Sequence, residues 1–332
     1  MKYLSYKLWR VCLIFFTLFM SFFFQTVKGV EFKTNLSFKF VLINNKIVIK
    51  VPASDGRIMN FIFDSGSNDF LVNNLSVREN NIKIYDQKRI VPLINGSLEG
   101  KLFKNINIFK DSLLNRFYQS GALLNLDLLS QNTGMHIDGL IGLNESIKIK
   151  LNLNFKDHTL SFSDKLPEHV MNPNFAKFKM FYTDNGNETK FSKYIRRMPA
   201  FKACFFINKN YKIETNVLFD TGFNQTFALL SNLNVDSLAY SFAWASRKEL
   251  NKKTSIGKGR ATVYTIDCDS IIIDGFKGNF PKSFYMSSTS DVAISMFGES
   301  NWMGLAGVQF MKMYEEIYFD FSKKEIHIKK VK

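Results

Sequence analysis

Two short segments of the chain share one pattern, and this repeat constrains the fold more than any other feature. Each is an apolar run that ends in Asp and continues with a hydroxyl residue and Gly: residues 61–72 contain Asp64, and residues 217–226 contain Asp220. Burial of an unpaired carboxylate costs several kcal/mol of folding free energy. An apolar run that ends in Asp therefore indicates a carboxylate with a functional role. The Gly that follows permits a sharp turn and predicts that each Asp lies on a loop.

The two loops predict two similar lobes, each of which presents one carboxylate. Two carboxylates at hydrogen-bonding distance cannot both ionise, so they share one proton. The ionised member can take a proton from water while the protonated member polarises a carbonyl group. Asp64 and Asp220 are therefore the candidate catalytic pair. The alternative, an Asp that caps its own turn, is the usual reading of a single Asp-x-Gly, and the repeat argues against it.

The sequence around both loops repeats as well. Two alternating segments rich in Val, Ile and Phe precede each loop, at residues 38–51 and 201–219, and are typical of antiparallel strands. An apolar segment with Gly follows each loop, at residues 140–143 and 303–307, and each is succeeded by a further strand, polar turn and strand. This alternation predicts an all-β chain, in which only residues 308–316 show a short helical period.

This arrangement resembles the pepsin-like aspartic proteases over nearly all of residues 35–328, and in particular the divergent, plasmepsin-like proteases of protozoa. Residues 137–143, Ile-Asp-Gly-Leu-Ile-Gly-Leu, are similar to the Asp-Gly-Ile-Leu-Gly-Leu of that family. The resemblance implies an all-β, bilobal fold with two similar six-stranded lobes and a central cleft. The expected organisation is a signal peptide at 1–29, an N-terminal lobe at 30–165, a linker at 166–198 and a C-terminal lobe at 199–332.

The resemblance also implies roles for the residues that follow each Asp. Their hydroxyl neighbours are expected to bond across to the opposite lobe and tie the two loops together. Ser67 is expected to donate a hydrogen bond to the outer oxygen of the Asp in its own loop. The residues assigned to the support of the catalytic loops are Ser65, Gly66, Ser67, Thr221 and Gly222.

A hairpin that covers the site is predicted at residues 91–100, where Asn95-Gly96 is a favoured two-residue turn. Substrate would bind in extended form and add a strand to this flap. The alternative is an ordinary surface hairpin. The residues assigned to the flap and to substrate binding are Leu93, Ile94, Asn95, Gly96 and Ser97.

Two departures from the family pattern leave a second function open. Phe223 occupies the position that matches Ser67 and has no hydroxyl to donate, which is expected to raise the apparent pKa of the pair. Leu93 occupies the position of the usual flap Tyr. The predicted function is an aspartic endopeptidase that acts on a peptide or protein substrate. The alternative is a catalytically inactive pepsin-like homologue that binds peptides or proteins.

The strongly basic composition does not by itself indicate a partner. A formal charge of +15 and a pI of about 9.5 would suit nucleic acid. The Lys and Arg residues are scattered, however, and no nucleic-acid motif accompanies them, so we expect a solvated surface and no nucleic-acid partner. The four His residues are far apart, and no metal-ligand spacing or phosphate-binding Gly loop occurs. We therefore expect a monomer with no metal and no cofactor.

The first 29 residues resemble a secretory signal peptide, which also sets the redox context of the cysteines. Three basic residues precede a nearly continuous apolar stretch at 11–24, and an uncleaved signal anchor is the alternative. The expected location is the secretory pathway, with the chain secreted or held in a vacuolar or lysosome-like compartment. Cys12 falls in this segment, and the remaining Cys204 and Cys268 could form one disulfide or remain two free thiols.

Overall fold

The computed structural model describes ten ranges of the chain: residues 35–77, 82–93, 96–104, 106–143, 150–182, 198–230, 248–253, 260–277, 283–287 and 304–329. The predicted signal peptide lies outside them. The part of the chain from Asn35 to Lys332 forms one compact unit. Strands dominate the described ranges, which confirms the all-β prediction. No helix within these ranges is long and apolar enough to span a bilayer.

The strands are numbered in chain order. The first twelve are β1 Asn35–Ile43, β2 Lys46–Pro52, β3 Ile58–Asp64, β4 Phe70–Asn73, β5 Lys83–Leu93, β6 Gly96–Lys104, β7 Ser120–Leu124, β8 Gly139–Gly142, β9 Lys150–Asn154, β10 Thr159–Ser163, β11 Phe175–Lys179 and β12 Phe181–Tyr182. The others are β13 Pro199–Phe206, β14 Lys212–Phe219, β15 Phe227–Leu230, β16 Lys248–Lys253, β17 Arg260–Asp267, β18 Ser270–Ile273, β19 Phe276–Lys277, β20 Ser283–Ser287, β21 Gly304–Ala306, β22 Glu316–Asp320 and β23 Glu325–Lys329. The helices are α1 Ser112–Phe117, α2 Asp127–Thr133, the 3-10 turn Glu168–Met171 and α3 Val308–Met311.

The strands form two large sheets that repeat one topology. In the first sheet, β3 is parallel to β8, β8 is antiparallel to β4, and β4 is parallel to β7. In the second sheet, β14 is parallel to β21, β21 is antiparallel to β15, and β15 is parallel to β20. Each Asp loop therefore joins two strands that lie on either side of the same short apolar strand.

A tight hairpin opens the first lobe. Ile43 pairs with Lys46, and the turn residues Asn44 and Asn45 have φ angles of 50° and 56°. Positive φ at both central residues suits the right-handed twist of the flanking strands, and Asn tolerates it better than most residues do. The predicted order of strand, polar turn and strand before the first Asp loop is confirmed.

Aromatic side chains hold the strands that lead into both loops. Phe63 and Phe219, each next to its Asp, have almost no exposed surface. Phe63 packs edge-on against Phe162, and Phe219 packs edge-on against Phe319. Full burial of one such side chain contributes about 1.5–3 kcal/mol. Both loops therefore start from rigid positions.

The structure differs from the sequence-based expectation in its helices and in the predicted linker. The helix expected at 308–316 is limited to Val308–Met311, because the chain enters β22 at Glu316. α1 and α2 were not predicted. Within the range 166–198, Phe175–Lys179 is a strand that pairs with the C-terminal β23. The division into lobes at 165 and 199 stays a prediction.

Candidate active site

The structure brings the two predicted Asp loops together. Asp64 ends β3, and Asp220 follows β14 directly. The carboxyl groups of Asp64 and Asp220 lie within hydrogen-bonding range of each other. Asp220 is 8% exposed, and Asp64 keeps partial contact with solvent. Two acidic groups thus share one site that is open on the Asp64 side.

Backbone amides from the turns support the carboxyl groups. The Gly66 N–H donates to Asp64 Oδ1 at 2.9 Å, and the Gly222 N–H donates to Asp220 Oδ1 at 2.8 Å. The Phe223 N–H adds a second bond to the same Asp220 oxygen at 3.1 Å. Amides that point at a carboxylate favour its ionised form. Each turn is therefore built to tolerate negative charge on its own Asp.

Each carboxyl group also lies against the Gly of the opposite loop. A Cβ atom on Gly66 would lie 2.5 Å from Asp220 Cγ, and one on Gly222 would lie 2.6 Å from Asp64 Oδ2. Real Cβ atoms do not approach other atoms this closely. The absence of a side chain at these two positions is what allows the carboxyl groups to meet.

The hydroxyl residues after each Asp bond crosswise between the loops. Ser65 Oγ donates to the Phe219 carbonyl at 2.8 Å, and Thr221 Oγ1 donates to the Phe63 carbonyl at 2.8 Å. Each hydroxyl also accepts the other residue's backbone N–H, at 2.8 Å for Thr221 Oγ1 and 3.0 Å for Ser65 Oγ. Ser65 and Thr221 have no exposed surface. These four bonds fix the separation of the two loops.

Removal of either crossing hydroxyl is expected to destabilise the fold. Thr221→Val keeps the volume of the side chain but leaves the Phe63 carbonyl and the Ser65 amide without these partners. A buried group that loses its partner costs about 1–3 kcal/mol, and we expect a fall of that size in the free energy of unfolding in urea. Thr221→Ser, which keeps the hydroxyl, is the matched control. Equal stability of the two variants would show that the crossed bonds do not hold the loops.

Burial dominates the electrostatics of the pair. Burial is the largest cause of the raised pKa of both carboxyl groups. At Asp220, the charge of Asp64 raises the pKa further. The hydrogen bond from Asp220 and the nearby Lys46 ammonium partly offset the rise at Asp64. The shared proton therefore belongs to the pair and not to either residue.

Ser67 and Phe223, which occupy matching positions three residues after each Asp, make different hydrogen bonds. Ser67 Oγ accepts the Asp69 N–H at 3.0 Å. Phe223 supplies its backbone N–H to Asp220, as described above, and its carbonyl accepts the Val308 N–H at 2.9 Å. The rise in the pKa of Asp220 has the direction expected from the sequence, but its largest cause is burial.

The apolar segments with Gly lie against the loops, and their correspondence differs from the simplest reading of the sequence. Gly142 pairs with Asp64 in the parallel register, and a Cβ there would lie 2.4 Å from the Ser67 carbonyl. In the second lobe the same place is taken by Gly307, where a Cβ would lie 2.4 Å from the Phe223 carbonyl. The structural counterpart of Gly142 is thus Gly307. Gly304 lies three residues earlier and pairs with Val217.

A buried lysine next to the pair was not predicted. Lys46, the first residue of β2, is 4% exposed, and its Nζ donates to the Gly222 carbonyl at 3.0 Å. Burial lowers the pKa of Lys46, while the charges of Asp64 and Asp220 raise it in part. The only sequence signal was its place between a polar turn and the apolar run 47–49. Fully buried Lys is rare unless it is paired.

The predicted flap is a hairpin attached to the first loop. β5 and β6 pair from Lys83 with Lys104 to Leu93 with Gly96. Gly96 is therefore paired within the ladder, whereas the sequence predicted it as the second residue of an Asn95-Gly96 turn. Ile94 and Asn95 lie outside the described residues, as do the side chains of Leu93 and Ser97, so the flap assignment stays a prediction.

An ion pair joins this hairpin to the first Asp loop. Arg89 on β5 binds the Asp69 carboxylate, which is buried five residues after Asp64. Burial raises the pKa of Asp69, and the Arg89 guanidinium opposes the rise. This contact could not be predicted, because the two residues are 20 positions apart in sequence on separate elements.

The two cysteines are free in the structure, so the disulfide considered above is not formed. Cys268 is buried in the hydrophobic core together with Ala203 and Phe205. Cys204 lies between those two residues on β13 and is partly exposed. Successive side chains of a strand point to opposite faces, so the Cys204 thiol faces away from the core that contains Cys268.

Comparison with known protein families and with curated protein sequences finds no match. Among solved structures, the chain is similar to the aspartic proteinase from Irpex lacteus, with a TM-score of 0.50 and 12% sequence identity. The alignment covers 90% of this chain and 97% of that one. A likeness at this identity concerns the fold, and the plasmepsin-like, protozoan affinity stays a prediction. With its two sheets and repeated topology, the chain has the all-β, bilobal fold of the pepsin-like aspartic proteases.

Proposed function

We propose that this chain is an aspartic endopeptidase that hydrolyses peptide bonds with a water molecule activated between Asp64 and Asp220. The observation that carries the proposal is the hydrogen-bonded pair of carboxyl groups, one supplied by each of two repeated loops. The crossed Ser65 and Thr221 bonds support it, because they hold the two carboxyl groups in register. A turn Asp without a catalytic task would need neither feature.

The reaction uses one shared proton. The ionised member, with Asp64 as the more exposed candidate, takes a proton from water as the water oxygen bonds to the substrate carbonyl carbon. The protonated member gives its proton to the carbonyl oxygen, which yields a neutral tetrahedral diol. Collapse of the diol breaks the C–N bond: the leaving nitrogen takes the proton now held by the pair, and one diol hydroxyl gives its proton to the ionised carboxylate as it becomes the new carbonyl, which restores the singly protonated pair. No bond forms between enzyme and substrate.

The substrate is an extended peptide or a segment of a protein. β5 lies at the edge of the first sheet among the described strands, so its outer backbone groups can pair with an added strand. The Arg89–Asp69 ion pair supports this role because it couples the hairpin to the loop that carries Asp64. We propose action by a monomer within the secretory pathway, either secreted or in a vacuolar or lysosome-like compartment.

The second candidate function is peptide binding without cleavage. Phe223 favours it, because the second loop offers Asp220 backbone N–H groups where the first loop has a hydroxyl residue. A binding module would hold peptides at the same cleft and release them intact. The two functions differ in product and not in location.

The test is hydrolysis of an internally quenched peptide library by the purified chain, from about pH 3 to about pH 8, the span in which carboxyl groups with raised pKa values titrate. An endopeptidase cuts inside the peptides, and in isotope-labelled water it places one labelled oxygen in the new carboxyl group. Peptides that bind and are recovered uncut throughout this range would establish the binding module in its place.

A further inference from the structure

We infer that Lys46 is a positioning residue of the acidic pair, whose ammonium group supplies the positive charge that makes the singly protonated pair the electrically neutral state of the site. The inference rests on the proposed function and identifies a third charged residue that the family resemblance did not include. Lys46 does not need to touch substrate. It acts through Asp64, Asp220 and the loop that carries Asp220.

The placement of Lys46 is fixed by several contacts. The Asn44-Asn45 turn delivers it to the site, Asn44 Nδ2 donates to the Asn132 carbonyl at 2.8 Å, and Lys312 Nζ donates to Asn45 Oδ1 at 2.9 Å. Its own Nζ then donates to the Gly222 carbonyl at 3.0 Å. A lysine held at both its turn and its ammonium group presents a fixed charge.

Few charged groups of the described ranges surround the ammonium group. Asp64, after β3, and Asp220, after β14, act on it, in that order of strength. Asp69 in the first loop is paired with Arg89. Lys312, next to α3, is exposed and contacts the turn rather than the pair. Among the residues that the structure describes, the site thus brings together one cation and two acids.

Charge balance explains why this arrangement suits a protease. The protonated Lys46 carries one positive charge, and the singly protonated carboxyl pair carries one negative charge, so together their net charge is zero. If the pair gains or loses a proton, a net charge remains in the buried site. Buried net charge is costly. Without the ammonium group, the doubly protonated pair becomes the neutral state, and that state lacks the base needed to activate water.

The test is the pH dependence of kcat/KM, which reports the ionisation of the free enzyme. Removal of a nearby cation makes a carboxyl group hold its proton more tightly, so Lys46→Met and Lys46→Gln are expected to move both limbs of the profile to higher pH by about one unit or more. Gln keeps a donor for the Gly222 carbonyl and gives a second variant if Met disturbs folding. Lys46→Arg keeps the charge and is expected to keep the limbs near their original pH.

Lys312→Met is the matched control, since it removes a lysine that also bonds to the turn but does not face the pair. If Lys46→Met and Lys46→Gln lose stability but keep both limbs of the kcat/KM pH profile at their wild-type pH, Lys46 only connects the two loops. That result would overturn the inference. The same variants, with isotope-labelled Asp carboxyl groups followed by NMR titration, give the shift without any substrate. A shift in the NMR titration with no hydrolysis by the wild type would leave the inference standing and defeat the proposed function.

Discussion

Asp64→Asn is expected to lower kcat/KM for peptide cleavage by about 1,000-fold or more, because general acid–base groups contribute about 100-fold to 10,000-fold to catalysis. The Asn side chain has the same shape and keeps an oxygen that can accept the Gly66 N–H. It cannot take a proton from water at any accessible pH. The measurement is steady-state cleavage of internally quenched peptides by matched protein preparations.

Asp220→Asn is expected to be equally inactive, and its stability provides an independent check. An acid with a raised pKa in the folded state stabilises the fold fully only below its unfolded pKa, and this contribution is lost as pH rises through the folded pKa. Asn does not titrate, so above about pH 4 the stability of the variant relative to wild type is expected to increase with pH. Urea unfolding at several pH values measures this difference.

Asp138→Asn is the control for loss of a buried carboxylate outside the pair. Asp138 is buried, and its Oδ2 accepts the Asn60 N–H at 2.7 Å, a bond that an Asn oxygen can still accept. We expect kcat/KM close to that of wild type. Cleavage at the wild-type rate by both Asp64→Asn and Asp220→Asn would locate the activity elsewhere, and the proposed function would be wrong.

The acidic pair could be predicted from sequence because its signal is local and occurs twice. Asp64-Ser65-Gly66 and Asp220-Thr221-Gly222 each follow a buried strand, and the two copies make a chance match much less plausible than one would. The crossed hydroxyl bonds followed from the same triplets through the family resemblance. In this part of the molecule, the residues that define the chemistry also define the turn.

Lys46 could not be predicted, because its burial depends on the other lobe. In sequence it follows two Asn residues and begins a strand, which is a typical place for a solvated lysine. It becomes buried because the Gly222 turn, 176 residues away, accepts its ammonium group. This contact joins the two lobes and occurs only once, so the sequence contains no repeated motif or periodic pattern from which it could be predicted. The Arg89–Asp69 pair was missed because it joins two separate elements of the first sheet, 20 positions apart, and likewise has no repeat or motif.

The short helices were missed because they are too brief for a helical period, although their ends carry recognisable signals. The Asp111 side chain caps α1 by accepting the N–H groups of Leu113 and Leu114. Gly134 ends α2 with a φ angle of 72°, the left-handed conformation that favours Gly after a helix. The sequence predicts a linker where the strand Phe175–Lys179 lies, because the partner of this strand is the C-terminal β23, more than a hundred residues later.

Gly66→Ala and Gly222→Ala are expected to lower kcat/KM by about 100-fold, the usual effect of moving a catalytic group by about 1 Å. Neither Gly has a left-handed φ, so the effect comes from the new methyl group, which would lie 2.5 Å or 2.6 Å from the opposite carboxyl group. As the carboxyl groups separate, they share their proton less well, and the two limbs of the pH profile are expected to move closer together. Gly304→Ala is the control, because its Cβ would meet only the side-chain tips of Leu229 and Val217 and the Ala228 carbonyl, at 3.0–3.2 Å, away from the pair. Full activity of both loop variants, with an unchanged pH profile, would show that direct contact between Asp64 and Asp220 is not needed for cleavage.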